Sequence, residues 1–196
     1  MHNFLMYINI FKNVKKSYIY EMKKMYFIAV YPDQKIIDEV RVFKEDLAMN
    51  FANSKALKND AHITLFPPFE RELELEADIH IAFQKINTNI APFEIILNGF
   101  GNFPNPKNPV LFVKPEENEN LKQLYLNVKE KFSFGKHSFN PHVTIGYRDL
   151  TYENFLKAWE VYKDKIYKTS FLVDKITLLR HDGKWVPINE KKLSEE

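Results

Sequence analysis

Cysteine is absent from all 196 residues of the sequence. Disulfides, thiolate zinc sites, iron–sulfur ligation by cysteine and cysteine nucleophiles are thereby excluded. There is also no run of about 18 apolar residues, so no segment has the length and apolarity of a transmembrane helix. A strong excess of one charge is missing too. The net charge is +2, and even that value comes from one end. Residues 1–24 hold Lys12, Lys15, Lys16, Lys23 and Lys24 against the single acid Glu21, a surplus of +4. Removing these from the 28 basic and 26 acidic residues leaves 23 and 25, a net charge of −2 for the rest. Such a body has no broad polycationic surface for sequence-independent nucleic-acid binding, and phosphate recognition must be local.

The first 24 residues do not read as a signal peptide, because the lysines follow the short apolar stretch 4–11 instead of preceding it. They read as a basic, disordered arm or as a misassigned start, since Met22 and Met25 stand just before the first convincing strand. Residues 25–196 are expected to form one domain. The chain's 45% hydrophobic and 15% aromatic content supplies a core.

The chain then alternates between two periodicities. Strand-type runs fall at 26–31, 61–66, 93–97, 110–113 and 141–147, with a pair at 171–179 and 185–188 around the hairpin turn Asp182-Gly183. Pro67-Pro68 is expected to stop the second strand, and 99–108 reads as loop. Helical spacing places helices at 33–51, 76–90, 118–132 and from Thr151, a candidate cap, to about 165. Strand, helix, His-containing strand, helix occurs twice, over 26–90 and again over 110–165. An α+β fold of two pseudo-symmetric lobes follows, each an antiparallel-rich sheet with outer helices, around a central cleft.

Each His-containing strand carries the same word. His62-Ile63-Thr64-Leu65 and His142-Val143-Thr144-Ile145 both read His, apolar, Thr, apolar. Alternation along a strand puts His and Thr on one face and the apolar pair on the other. With six His and six Thr in the chain, chance gives about 0.2 His-x-Thr triplets; two occur, at matching places in a repeat. Two imidazoles across a cleft suit phosphodiester chemistry. One removes a proton from a nucleophile, the other donates one to the leaving oxygen, and the Thr hydroxyls donate to phosphate oxygens. Which histidine is base and which is acid depends on how the substrate lies, and both assignments stay open.

These residues resemble the 2H phosphoesterase superfamily, in its 2′-5′ RNA ligase and RNA 2′,3′-cyclic phosphodiesterase branch. The words AHITLFPPF and FNPHVTIGY, the opening YFIAVYP and the terminal ITLLRHDGKW are similar to that branch over about 25–190. The resemblance implies a bilobal enzyme without metal or other cofactor that hydrolyses a 2′,3′-cyclic phosphate on an RNA 3′ end or nucleotide, with 2′-5′ ligation as a minor activity of the same site. It implies His62 and His142 as the catalytic pair and Thr64 and Thr144 as phosphate ligands. Arg148 lies near the place of a phosphate-binding basic residue in some members. If the strand stays regular, Arg148 shares parity with His142 and faces the cleft.

Further candidates for substrate contact are Phe66, of the same parity as His62, the flanking Phe69 and Phe139, and the loop residue His137. For each of these, packing or plain surface is the competing reading. Two functional alternatives stay open. One is a small-molecule cyclic phosphodiesterase acting on ADP-ribose-type cyclic phosphates, which the near-neutral body favours. The other is a non-catalytic module that binds an RNA end or nucleotide. The expected protein is a cytoplasmic monomer with no membrane partner.

Overall fold

The computed structural model describes residues 22–135 and 138–194; the segment 1–21 and His137 lie outside the described residues. The elements run β1 (Lys23–Val30), α1 (Gln34–Phe51), β2 (Ile63–Glu72), α2 (Glu76–Gln84), β3 (Phe93–Phe103), β4 (Val110–Pro115), α3 (Glu119–Lys131), β5 (Val143–Gly146), α4 (Tyr152–Tyr162), β6 (Lys168–Val173), β7 (Lys175–His181) and β8 (Trp185–Lys192). A short 3-10 turn, Lys55–Lys58, precedes β2. Lys23 and Lys24, counted with the basic segment in the sequence, belong to β1 and pair with Glu72 and Arg71.

All eight strands form one sheet in the order β6-β3-β4-β5-β2-β1-β7-β8. Every pairing is antiparallel. The order is symmetric about its centre: exchanging the halves swaps β2 with β5, β1 with β4, β7 with β3 and β8 with β6. The two lobes are therefore four-stranded halves of one continuous sheet. They meet at a single residue pair, Ile63 with Val143.

The sheet must curl. Residues 171–179 read as one strand in the sequence, but the chain breaks at Asp174 into β6, which pairs with β3 at one edge, and β7, which pairs with β1 in the other half. One residue cannot span a flat eight-stranded sheet. The edges are drawn together, and Leu193 N–H donates to Asp174 C=O (2.7 Å) where β8 ends beside this crossing.

Two bulges correct the expected strand ends. Tyr26 faces Phe69 while Ile28 faces Phe66, so β2 carries one extra residue across Pro67-Pro68 and continues to Glu72 instead of stopping. Proline is tolerated there because a bulge leaves backbone N–H groups outside the ladder. The other bulge lies in the stretch read as loop. Leu97 faces Pro115 and Phe100 faces Val113, with Gly99 at φ 69° taking the left-handed conformation that the bulge needs.

The helices cover one face of the sheet. α1 starts at Asp33, whose side chain accepts from Ile36 N–H, and buries Ile36, Val40 and Leu47. Thr151 caps α4 by accepting from Asn154 N–H (3.2 Å). One core unites these helices with Ile28, Val30, Ile63, Leu65, Val143 and Ile145. α1 packs on β5 and α3 packs on β2, so each half's helix lies against the other half's His-bearing strand. Gly146 permits this approach, since a Cβ there would lie 3.0 Å from Leu47 Cδ1.

Asn53 fastens the crossing. It is fully buried just beyond α1, where Ala52 adopts φ 53°. Its Nδ2 donates to Tyr147 C=O (2.7 Å) and to the Asp149 carboxylate, and its Oδ1 accepts from Tyr147 N–H (3.3 Å). Replacing Asn53 by Leu strands these groups of the β5 exit without partners. Chemical denaturation is expected to show a loss of about 2–3 kcal/mol.

Candidate active site

The two His-x-Thr words sit at the centre of the sheet, on the face away from the helices. Ile63, Leu65, Val143 and Ile145 are buried in the core, whereas His62, Thr64, His142 and Thr144 are half-buried. The alternation expected from the sequence is thus present in both. Counting outward from the antiparallel pair Ile63–Val143, His62 falls opposite Thr144 and Thr64 falls opposite His142. Each imidazole of one lobe is matched with the hydroxyl of the other. The ladder is limited to that one pair, and cavities open on both sides of it, one bordered by His142 and Thr64 and one by His62.

Each imidazole is held in the same way. His62 Nδ1 lies 2.8 Å from Asp60 C=O, and His142 Nδ1 lies 2.7 Å from Asn140 C=O. A carbonyl only accepts, so Nδ1 carries the hydrogen in both rings and Nε2 of the neutral form is the bare base. Aromatic rings fix both orientations. Phe27 and Tyr31 stand 5.2 and 5.6 Å from the His62 ring, and Phe103 and Phe112 stand 5.1 and 5.3 Å from that of His142. Phe112 reaches its place by lying over Gly101, where a Cβ would come within 2.4 Å of the ring.

Electrostatics follow from this packing. Burial lowers His62 to about 4, aided by the nearby positive charges of Lys44 and of a protonated His142 and opposed by the bond to Asp60. Burial also lowers His142, against the bond to Asn140. Both rings are therefore neutral near pH 7 in the free protein. Neither Thr64 nor Thr144 spends its hydroxyl on another group among the described residues, which leaves both free to donate into the cleft.

The other sequence candidates divide. Phe139 lines a cavity of about 300 Å³ beside His142, together with Thr64, Phe103 and Tyr125, and stacks on Tyr125 at 4.4 Å. Phe66 does not face the cleft: it is 1% exposed and packs on Phe69, Phe132 and Phe134. A second register shift of β2, between Thr64 (facing Ala29) and Phe66 (facing Ile28), breaks the parity that linked Phe66 to His62, and Phe69 joins the same core. Arg148 does not extend β5 either. The strand ends at Gly146, Arg148 turns at φ 62°, and its guanidinium lies 5.1 Å over the Tyr147 ring at the rim of a second cavity. His137 lies outside the described residues.

Lys44 is the residue that sequence reading missed. It is 4% exposed on α1, and its ammonium donates to Asn59 C=O (2.7 Å) beneath the loop that carries Asp60 and His62. Asn59 Nδ2 in turn donates to Tyr147 Oη (2.8 Å) from the other half. Burial lowers Lys44 to about 8. A signal was available: Ile36, Val40, Lys44 and Leu47 form one stripe of α1, and a lysine inside an apolar stripe asks for a buried partner.

Comparison with known proteins bears on what this arrangement is. The family described as the "2'-5' RNA ligase superfamily" matches residues 31–185. A protein of Halalkalibacterium halodurans, BH1439, provisionally named a phosphoesterase, is 29% identical over 168 residues, covering 80% of this chain and 97% of its own. A similarly named protein of Geobacillus thermodenitrificans is 26% identical, covering 74% of this chain and 88% of its own. Among solved structures, E. coli LigT complexed with 3′-AMP superposes with a TM-score of 0.61 at 18% identity, over 89% of this chain and all of LigT. TT0787 of Thermus thermophilus superposes with 0.62 at 20% identity, over 88% of this chain and 99% of its own. At these identities the superpositions speak for the fold.

Two measurements test the electrostatics. His62 titrates at about 4 in the folded protein, against an ordinary histidine value of 6.5 once unfolded. Between those values the unfolded chain binds the extra proton, so stability is lost as pH falls from 6.5 toward 4 and regained as it rises. The melting temperature is expected to follow that curve, and His62→Gln to flatten it. In Lys44→Met, the loss of the buried cation and of its hold on the loop both raise the His62 value toward 6.5. An NMR titration of the His62 ring reads that shift directly.

Proposed function

The chain belongs to the 2′-5′ RNA ligase superfamily, and on that premise we propose that it hydrolyses a 2′,3′-cyclic phosphodiester at an RNA 3′ end or on a nucleotide, without a metal ion. The observation that carries this reading is the paired geometry. Two imidazoles on adjacent central strands have Nδ1 tied to a carbonyl, which leaves Nε2 as the bare base, and each is matched in register with a threonine of the other lobe.

The reaction needs one base, one acid and donors for the phosphate. A neutral Nε2 takes a proton from water as its oxygen bonds to phosphorus. The P–O bond to the 2′ or 3′ oxygen breaks, and the second imidazole, protonated, delivers its proton there. The Thr64 and Thr144 hydroxyls donate to the non-bridging oxygens as charge gathers on them. Both imidazoles are neutral in the free protein, so the acid acquires its proton as the anionic phosphodiester binds. An opposite charge at hydrogen-bonding distance favours the imidazolium that burial had disfavoured. The same step with the 5′-hydroxyl of a second RNA in place of water forms the new P–O bond as the cyclic P–O bond breaks, and so joins two RNA ends.

The test is hydrolysis of 2′,3′-cyclic AMP and of a short RNA with a 2′,3′-cyclic phosphate end, both in EDTA. Turnover by the wild-type protein is expected, with kcat reduced by about 10²–10⁴ in His62→Ala and in His142→Ala. Turnover that needs added metal, or that survives both substitutions, overturns the mechanism. Binding without turnover points to the non-catalytic alternative.

A further inference from the structure

The scaffold is pseudo-symmetric, but the two ends of its cleft are not. Beside His142, the cavity of about 300 Å³ is lined by Phe103, Tyr125, Phe139, Pro67 and Pro68, with no acid or lysine among its walls. Beside His62, a cavity of about 240 Å³ shares Lys58, Asn59, Lys184 and Trp185 with a larger one of about 730 Å³. That larger cavity is lined by Lys55, Lys58, Arg148 and Lys184 and has no carboxylate in its wall. The Trp185 ring borders both spaces and packs on Phe27 at 4.5 Å, the ring that abuts His62.

The nearby acids are already committed. Asp182 accepts from Lys24 (2.8 Å) and Arg180 (2.7 Å). Asp149 accepts from the backbone N–H groups of Ser54 and Lys55 (3.1 Å each) and from Asn53. Asp60, on the smaller cavity, faces Arg41 at 3.8 Å. None of the four cations of the larger cavity is in an ion pair among the described residues. Four positive charges, none of them in such an ion pair, therefore converge on one hollow. Clustered like charges raise a local potential that attracts an anion.

We infer that the basic hollow beside His62 is a second phosphate subsite, which holds the backbone phosphate adjacent to the cyclic one at an RNA 3′ end. This deepens the proposed function and rests on it for the placement of the first phosphate. The terminal base then lies toward the uncharged aromatic end, where Phe139 and Phe103 offer rings. The positive charge absent from the surface at large is concentrated where one further phosphate must sit.

Equilibrium binding tests this without requiring turnover. Adenosine 3′-monophosphate, adenosine 3′,5′-bisphosphate and the dinucleotide ApA 3′-phosphate are titrated into wild type, Lys58→Gln/Lys184→Gln and Lys58→Arg/Lys184→Arg. Wild type is expected to bind the bisphosphate and the dinucleotide at least about tenfold more tightly than the monophosphate at low salt. The Gln pair is expected to lose that ratio, and the Arg pair to retain it. Equal affinities in wild type, a ratio unchanged in the Gln pair, or no binding at all overturns the inference. An advantage confined to the bisphosphate overturns the RNA assignment in favour of a mononucleotide. Charge-dependent binding without hydrolysis of any cyclic phosphate leaves the subsite standing and removes the hydrolytic function.

Discussion

Everything at the site hangs on one backbone pairing, Ile63 with Val143. It is the only residue pair joining the halves of the sheet among the described residues, and it lies at the start of both His-bearing strands. A longer ladder would lay the two motifs on a flat sheet with water over both. A missing one would leave two independent lobes. A single pair sets the histidines and threonines in crossed register, with a cavity beside each histidine. The weakness of so short a junction is offset elsewhere. α1 packs on β5, α3 packs on β2, and Asn53 grips the backbone of Tyr147.

Burial shapes the chemistry of the rings held there. Each imidazole loses water to aromatic neighbours and keeps one hydrogen bond, to a carbonyl two residues back. The outcome is a defined tautomer and a suppressed positive charge. Lys44 strengthens that bias on one side. Its ammonium, itself destabilised by burial, braces the loop that holds His62 and adds a like charge beneath it. At His142 the shift comes from burial, set against the bond to Asn140. The two halves thus differ electrostatically where their backbones match.

The same divergence governs the rest of the cleft. Duplicated topology supplies two equivalent floors, but the loops and rims are not duplicated. The turn at Lys55–Lys58, the β5 exit at Arg148 and the β7–β8 hairpin at Lys184 each bring a cation to one hollow. The segment before His142 brings rings instead.

The motif strands, their faces and the repeat that relates them were all legible in the order of residues. They rest on local rules: period-two alternation in strands, period-3.6 stripes in helices, and a cap such as Thr151. The meeting of the two His-x-Thr words on neighbouring strands was legible too, because two rare words at matching places in a repeat are brought together by the symmetry. Other features emerged only with the folded chain. An extra residue in β2 between Thr64 and Phe66 sent Phe66 into the core, since one extra residue reverses the side-chain alternation of the strand beyond it. The break at Asp174 divided one apparent strand between opposite parts of the sheet. The left-handed turn at Arg148 moved that guanidinium to the cavity rim. Lys44 took a role that its place in the chain does not announce, because its partner carbonyl comes from a loop 15 residues away. Alternation and capping act between neighbours in sequence and can be read there. Register shifts, curl and the convergence of charges arise between segments that meet only when the chain has folded.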